Sequence, residues 1–166
     1  GIPLGKVVDC VSKINTGGKY DSNAFQKAVG LNGVGTKAVN ALSNYFKVCS
    51  YREGKMKVAT FEQGVLQEDN KLVKTDESNG TYIEFRPDSS IFKNYKFNRQ
   101  YIEDRIWDYA YLNAGLRLTF NSKSFISKNG LLDLLTKRVD LEKIRYPIIH
   151  LKGDDIELAM THGNHY

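Results

Sequence analysis

The chain has 166 residues, 41% of them apolar and 26% charged, as in ordinary globular proteins, and this length suits one domain or one domain with the start of a second. No apolar run approaches the roughly 18 residues that a membrane span needs, and no signal peptide opens the chain, so we expect a cytoplasmic protein rather than a membrane or secreted one. The net charge of +5 fits a polyanionic partner such as DNA, but scattered Lys and Arg residues are typical of a solvated surface. Cys10 and Cys49 lie in apolar stretches and are expected to be reduced, buried thiols.

The first third of the chain predicts two helices joined by a long loop. Apolar residues at helical spacing predict a helix over 4–14, with Pro3 at or just before its first turn. Residues 15–35 lack periodicity and are rich in Gly, and a loop of this length in a compact domain is typically a functional lid or disordered. A second helix is predicted from Thr36, with one face formed by Ala38, Val39, Ala41, Leu42, Tyr45 and Phe46.

Short strands and further helices are predicted in the rest of the chain. Turns at Glu53-Gly54 and Asn79-Gly80 separate some of the strands, which are expected at 46–51, 56–61, 71–75, 81–85 and 116–120. A helix over 98–113 is expected to bury Tyr101, Ile102, Arg105, Ile106, Trp107, Tyr109, Ala110 and Leu112. A helical stretch at 131–135 and strands at 147–151 and 156–160 follow. The pattern predicts an α+β fold, with a mostly antiparallel sheet and helices on one face.

A glycine-rich segment, residues 30–35, leads directly into the second predicted helix. Free backbone N–H groups at a helix N-terminus attract anions, so phosphate is the expected guest. The order G-x-x-G-x-G reverses the dinucleotide fingerprint, and Thr36-Lys37 transposes the end of the P-loop motif; neither motif has its preceding strand here. The remaining alternative is a structural turn that only allows close helix packing.

Other segments of the chain resemble one known family at the same time. They are Gly17-Gly18-Lys19, the glycine segment with its following helix, Asn79-Gly80-Thr81, Tyr111-Leu112-Asn113-Ala114-Gly115-Leu116 and Gly1-Ile2-Pro3, which is similar to the end of an Asp-x-Gly-x-Gly-Ile-Pro motif. Together they resemble the ATPase (B) subunits of bacterial type II topoisomerases, DNA gyrase and topoisomerase IV, in the GHKL class. The resemblance implies an incomplete GHKL-type sandwich over 1–126 and the beginning of a transducer domain over 127–166.

The resemblance also implies an ATP site with Mg²⁺. A lid Lys that reaches the terminal phosphates matches Lys19, with a solvated loop lysine as the alternative. The residues whose backbone amides bind phosphate match Gly30, Leu31, Asn32, Gly33, Val34 and Gly35. Thr81 matches a Thr that helps to hold the adenine through a water and an acidic partner, with an ordinary strand Thr as the alternative.

Three features depart from the family pattern or lie outside this chain. Asn32 stands where gyrase-type loops have His, which favours a topoisomerase IV-type enzyme, and Phe25 stands where many members have a lid Tyr. The family's general-base Glu, Mg²⁺-binding Asn and adenine-reading Asp match positions before Gly1. We therefore expect no catalytic and no metal-binding residue in this chain, which opens without Met and is expected to be a fragment or a processed product without ATP hydrolysis of its own.

The implied partners are DNA, the topoisomerase A subunit and a second copy of the ATPase subunit in an ATP-dependent homodimer, with no membrane. Two other hypotheses remain open at this point. One is a non-catalytic fragment that binds nucleic acid or protein and uses the glycine segment only structurally. The other is a different GHKL enzyme, such as a chaperone.

Overall fold

The computed structural model describes residues 1–16 and 33–163. The chain forms two compact units, Gly1–Tyr95 and Lys96–Tyr166. The predicted domain boundary at 126/127 falls inside the second unit and stays a prediction, since a family domain and a compact unit need not share their limits.

Two helices of the first unit precede and follow the predicted loop along the chain. A 3₁₀ turn at Leu4–Lys6 continues into α1, Val7–Ser12, which confirms the predicted helix except for its last two residues. The second helix, α2, covers Gly35–Ala41. The Asn40 side chain joins the two, because its amide donates a hydrogen bond to the carbonyl oxygen of Val11 at 3.0 Å.

Five strands of the first unit form an antiparallel sheet among the described residues. They are β1 (Ser43–Arg52), β2 (Lys55–Glu62), β3 (Val65–Asp69), β4 (Val73–Lys74) and β5 (Gly80–Pro87). The order is β3-β2-β1-β5, and β4 pairs with β2. Glu53 and Gly54 both have positive φ, as a two-residue hairpin turn between β1 and β2 requires.

The sequence interpretation was wrong at two places in this sheet. The spacing predicts Tyr45 and Phe46 on the face of the second helix, but α2 ends at Ala41 and both residues lie in β1. Their helical spacing is overridden because β1 pairs on both sides, with β2 and with β5. The parallel prediction that Phe46 lies in a strand at 46–51 is confirmed. Strand β3 was not predicted, since the turn that starts it, at Gln63 and Gly64, was not recognised.

The apolar core of the first unit lies between the sheet and α1. Val7 and Val11 of the helix pack with Val48, Ala59 and the two core phenylalanines, Phe46 and Phe61. The two phenylalanine rings meet edge to face with centroids 6.1 Å apart. The predicted arrangement, an antiparallel sheet with helices on one face, is confirmed.

The second unit contains two helices and two hairpins in its described part. Its elements are α3 (Arg99–Leu112), β6 (Leu118–Phe120), β7 (Lys123–Phe125), α4 (Leu131–Arg138), β8 (Ile149–Lys152) and β9 (Glu157–Met160). Strands β6 and β7 pair with each other, as do β8 and β9. The predicted helices and the last two predicted strands are confirmed, whereas β7 was not predicted.

An aromatic cluster links α3 to α4 and to the β6–β7 hairpin. Trp107 stacks on Tyr111 and meets Phe125 edge to face, both at 5.3 Å between centroids, and the ammonium group of Lys137 lies 5.0 Å from the Trp107 ring centre. The predicted buried side of α3 is only partly right. Tyr101, Tyr109 and Leu112 are 60%, 62% and 67% exposed, while the buried residues of this helix are Ala110 and Tyr111.

Two further expectations concern the cysteines and membranes. Both cysteines are free; Cys49 is buried and Cys10 is half-buried. Burial is the main cause that raises the pKa of the Cys10 thiol. None of the helices in the described part of the chain is long and apolar enough to cross a bilayer.

Candidate functional site: the glycine loop and the strand of Thr81

The sequence-predicted site residues fall into two groups. Lys19, Gly30, Leu31 and Asn32 lie outside the described residues, as does the loop segment around Phe25. Gly33, Val34, Gly35 and Thr81 are described. The described part of the candidate site therefore consists of the end of the glycine segment and the strand that carries Thr81.

The end of the glycine segment is an exposed turn that starts a helix. Gly33 has φ +57°, in the left-handed region that favours glycine, and Val34 is the N-cap residue of α2. No side chain caps the helix and no acidic residue lies in its first turn. The first N–H groups of a helix have no partner within it, so this turn presents donors and no negative charge to an anion.

Lys37, in the first turn of α2, is a residue whose role the sequence interpretation missed. Its side chain is almost buried, with 8% of the residue exposed, and its ammonium group donates a hydrogen bond to the carbonyl oxygen of Gly33 at 2.9 Å. The spacing of four residues between Lys37 and Gly33, one helical turn, is the signal that could have indicated this contact. The bond closes the turn over Val34 and brings a positive charge to the backbone of the glycine segment.

Thr81 lies near the beginning of β5 and is exposed. Its partner in the antiparallel register is Ser50 of β1, and the alternate pairs further along the strands are Ile83 with Val48 and Phe85 with Phe46. Because strand side chains alternate between faces, Thr81, Ile83 and Phe85 share the face of the apolar core. Ile83 and Phe85 nevertheless remain 43% and 41% exposed, so this part of the sheet forms an open apolar surface beside Thr81.

The first residues of the chain lie against the same two strands. The Ser50 hydroxyl donates a hydrogen bond to the carbonyl oxygen of Ile2 at 2.6 Å. A Cβ atom on Gly1 would lie 2.5 Å from the carbonyl oxygen of Tyr51 and would also collide with that of Gly80, so only glycine fits there. The structure thus brings together two of the resemblance segments, Gly1-Ile2-Pro3 and Asn79-Gly80-Thr81, that are far apart in sequence.

Three carboxylates near these strands or on α3 have partners of their own. Glu84 alternates away from the Thr81 face and accepts a hydrogen bond from the Tyr82 hydroxyl at 3.2 Å. Asp88 accepts hydrogen bonds from Ser90 and Gln63, which hold the pKa of its carboxyl below the usual range and weaken it as a base. Asp104 accepts one from Gln100 at 2.9 Å. Over residues 1–16 and 33–163, no group of three His, Cys, Asp or Glu side chains could hold a metal ion.

Both described parts of the site belong to the first unit. Helix α2 leads into β1, and β1 pairs with β5 from Ser43 to Tyr51. The arrangement offers an anion-binding turn at one place and an open apolar surface with a hydroxyl at another. A nucleotide site needs both kinds of group: an anion-binding turn for the phosphates and an apolar surface with a polar group for the base.

Comparison with known structures agrees with this architecture. A crystal structure of the 43K ATPase domain of Thermus thermophilus gyrase B in complex with an aminocoumarin matches with a TM-score of 0.65 and 32% identity, over 75% of this chain and 37% of that chain. The fold therefore matches that of a part of the gyrase B ATPase domain. No family model matches the chain.

Curated proteins match over nearly the whole chain. The B subunit of DNA topoisomerase 4 from Borreliella burgdorferi is 47% identical over 100% of this chain and 28% of its own length. Its counterpart from Mycoplasma capricolum is 36% identical over 98% of this chain and 27% of its own length. The B subunit of DNA gyrase from Thermus thermophilus is 33% identical over 92% and 26%, respectively. The chain belongs to the family of bacterial type II topoisomerase B subunits and spans about a quarter of the length of these relatives.

Proposed function

We propose that this chain is part of the ATP-binding region of the ATPase (B) subunit of a type II DNA topoisomerase, which couples ATP binding and hydrolysis to DNA strand passage. The observation that carries the proposal is the exposed Gly33–Gly35 turn that starts α2, with no acidic residue in the first turn of the helix. The 47% identity to the B subunit of a DNA topoisomerase 4 supports the same assignment.

In this proposal the two described parts of the site hold opposite ends of the nucleotide. The backbone N–H groups of Gly30, Leu31, Asn32, Gly33, Val34 and Gly35 bind the phosphates, and Lys19 reaches the terminal phosphates from a lid that hinges at Gly17 and Gly18. The Lys37 ammonium group holds the turn closed through the Gly33 carbonyl. Thr81 lies on the base side, where the open apolar surface of Ile83 and Phe85 receives the adenine.

The chemistry of hydrolysis is assigned to residues other than those described here. Attack on the terminal phosphate requires a positioned general base, and Mg²⁺ would neutralise the phosphate oxygens. Asp88 does not fit the role of the base, because its hydrogen bonds lower the pKa of its carboxyl. The proposal therefore gives this chain the tasks of binding and orienting ATP.

The proposed partners follow from the type II topoisomerase family. They are DNA, the topoisomerase A subunit and a second copy of the ATPase subunit that joins an ATP-dependent homodimer in the cytoplasm. We also propose that residues 127–166 begin the transducer domain that follows the ATP-binding domain. Asn32, in place of the His of gyrase-type loops, supports a topoisomerase IV-type enzyme.

Titration of the full-length protein with Mg-ATP tests the proposal. We expect millimolar or tighter binding, and we expect Gly33→Asp and Lys19→Ala each to weaken it at least tenfold, since the first adds a negative charge beside the phosphates and the second removes a positive one. Gly54→Asp is the matched control for Gly33→Asp: Gly54 also has positive φ, +70°, but lies in the β1–β2 turn.

Three results would contradict the proposal. Absence of Mg-ATP binding to the full-length protein would leave only an interaction module with a structural glycine turn. Equal effects of Gly33→Asp and Gly54→Asp would assign the loss to backbone strain. ATP binding without ATP-dependent strand passage in the complete complex with the A subunit would favour another GHKL enzyme.

A further inference from the structure

Ser50 is a buried polar residue on the inward face of β1, where its buried neighbours are apolar. Together with Phe46 and Val48 it forms the inward-facing series of β1, and all three residues are 0% exposed. A buried hydroxyl needs a hydrogen-bond partner, because its unpaired burial is costly. Its partner is the backbone carbonyl of Ile2, which lies 48 residues earlier in the chain.

The contact joins two segments that pack tightly. Only a glycine fits at position 1, because the backbone carbonyls of Tyr51 and Gly80 occupy the space that a Cβ would need. Ile2 itself packs against the apolar core cluster. The Ser50 hydroxyl is thus the polar part of a contact that places the Gly1–Pro3 segment at the ends of β1 and β5.

Thr81 is the residue directly opposite Ser50 in the antiparallel pair of β1 and β5. Side chains at such paired positions lie on the same face of a sheet, with Cβ atoms about 4.5–5.5 Å apart. Ser50 therefore has Thr81 as its cross-strand neighbour and the Ile2 carbonyl as its hydrogen-bond acceptor. A movement of the Gly1–Pro3 segment away from β1 would change the packing around Ser50 and around Gly80, the residue before Thr81.

We propose that Ser50 is a positioning residue for the adenine (base) side of the nucleotide site. Its hydrogen bond holds the Ile2 carbonyl against β1, near Thr81. This inference rests on the proposed function, because it assumes that Thr81 lies at the adenine. Ser50 does not touch the nucleotide in this proposal; it acts through the Gly1–Pro3 segment. Its loss should therefore weaken ATP binding and leave the chemical step unchanged.

The chain offers a closely matched control. Ser43 lies at the other end of β1, is 1% exposed and donates its hydroxyl to the backbone carbonyl of Val39 at 2.6 Å. Ser43→Ala and Ser50→Ala therefore remove the same group with the same bond length from the same strand. Ser43 is paired with Pro87 rather than with Thr81, so the two variants differ in their relation to the base side.

The test measures the ATP Kd and the steady-state ATPase activity of the full-length protein. We expect Ser50→Ala to raise Kd and KM about three- to tenfold, the effect of one lost hydrogen bond, with kcat within about twofold. Ser50→Thr keeps the hydroxyl and should restore both constants to within about twofold. Ser43→Ala should lower the melting temperature about as much as Ser50→Ala does, but it should not raise Kd or KM.

Several outcomes would overturn the inference. Ser50→Ala with an unchanged Kd and KM, or with only a lower kcat as expected from a smaller folded fraction, would leave Ser50 a purely structural residue. An equal rise of Kd in Ser43→Ala would assign the effect to general loosening of β1. If the added methyl group prevents Ser50→Thr from folding, the comparison of the two alanine variants decides alone. Wild-type protein that binds no ATP would instead refute the proposed function itself.

Discussion

The two units of this chain are stabilised by different kinds of contact. In Gly1–Tyr95 the buried residues form an apolar cluster between α1 and the sheet, centred on Phe46 and Phe61. Among the described residues of Lys96–Tyr166, the buried apolar ones are Ala110, Tyr111 and Phe125. Much of what connects the elements there is polar. The difference indicates that the first unit depends mainly on apolar packing, whereas in the second unit hydrogen bonds supplement a smaller aromatic cluster.

The polar contacts of the second unit meet at the N-terminus of α4. Asp133 accepts hydrogen bonds from the Asn129 side-chain amide at 2.9 Å, from the Asn129 backbone N–H at 3.0 Å and from the Ser127 hydroxyl at 2.7 Å, and these bonds lower the pKa of its carboxyl. Glu157 of β9 accepts one from the backbone N–H of Leu131 at 3.2 Å, and its Oε1 lies 2.8 Å from His150 Nε2. Glu157 satisfies the N–H of Leu131, one of the donors that a helix leaves free at its start, whereas Asp133 accepts from residues that precede the helix; both carboxylates suit the helix dipole.

The largest expected effect is the loss of a core phenylalanine in the first unit. Phe46→Ala should destabilise that unit by about 3–5 kcal/mol, because it leaves a cavity where the ring packed against Phe61. The matched control is Phe85→Ala, since Phe85 is opposite Phe46 in the sheet but 41% exposed; it should cost less than about half as much. Urea unfolding followed by circular dichroism measures both.

The single tryptophan allows the two units to be followed separately. Trp107 belongs to the second unit, so its fluorescence reports on that unit. If the units unfold independently, Phe46→Ala should shift the circular dichroism transition and leave the fluorescence transition in place. A joint shift of both signals would show that the contrast between the units does not extend to their unfolding.

A smaller effect is expected from Gly130→Ala in the second unit. Gly130 has φ +57° and ψ −119°, and an added Cβ would lie 2.8 Å from Glu157 Oε1 and 3.2 Å from the Tyr111 carbonyl oxygen. We expect a loss of about 1–3 kcal/mol in the unfolding followed by Trp107 fluorescence. Gly115→Ala is the control, because Gly115 also has positive φ, +86°, but open space at its Cβ position. Equal losses in both variants would mean that the contact with Glu157 adds nothing.

The smallest effect concerns pH. The hydrogen bond with His150 is the main cause that lowers the pKa of the Glu157 carboxyl in the folded chain. A lowered folded-state pKa means that the stabilisation is present above the unfolded-state value, about 4.3, and is lost as the pH falls through the folded-state value. Glu157→Gln should therefore flatten the acid side of the stability profile of the second unit, by no more than about 1 kcal/mol because the pair is partly solvated.

The control for this pH experiment is Glu142→Gln, at an exposed glutamate of the same unit. It should leave the acid side of the profile unchanged. Fluorescence-detected urea unfolding between about pH 3 and pH 7 measures both variants, and this window includes the range in which carboxylates titrate. Identical profiles for wild type and Glu157→Gln would show that the His150–Glu157 contact contributes no pH-dependent stability.

Local patterns predicted most elements of the fold but missed those that depend on turns and pairing. The helices at α1, α3 and α4 and the strands β1, β2 and β5 follow from apolar spacing and from glycine turns. Strand β3 was missed because the positive φ of Gln63 is not visible in its residue type. The face of α3 was assigned too broadly, since a helix with aromatic residues on several sides does not indicate that Trp107 will meet Phe125 and that Tyr101 and Tyr109 will stay exposed.

The candidate site likewise has features that the sequence predicts and contacts that it does not. The sequence by itself determined the family, through the Gly17-Gly18-Lys19, glycine-loop and Asn79-Gly80-Thr81 segments, because these motifs are local and specific. It also determined where a helix begins after Gly33. Only the tertiary structure decided that Ser50 bonds to Ile2 and lies opposite Thr81, because strand register and packing bring together residues that have no relation along the chain.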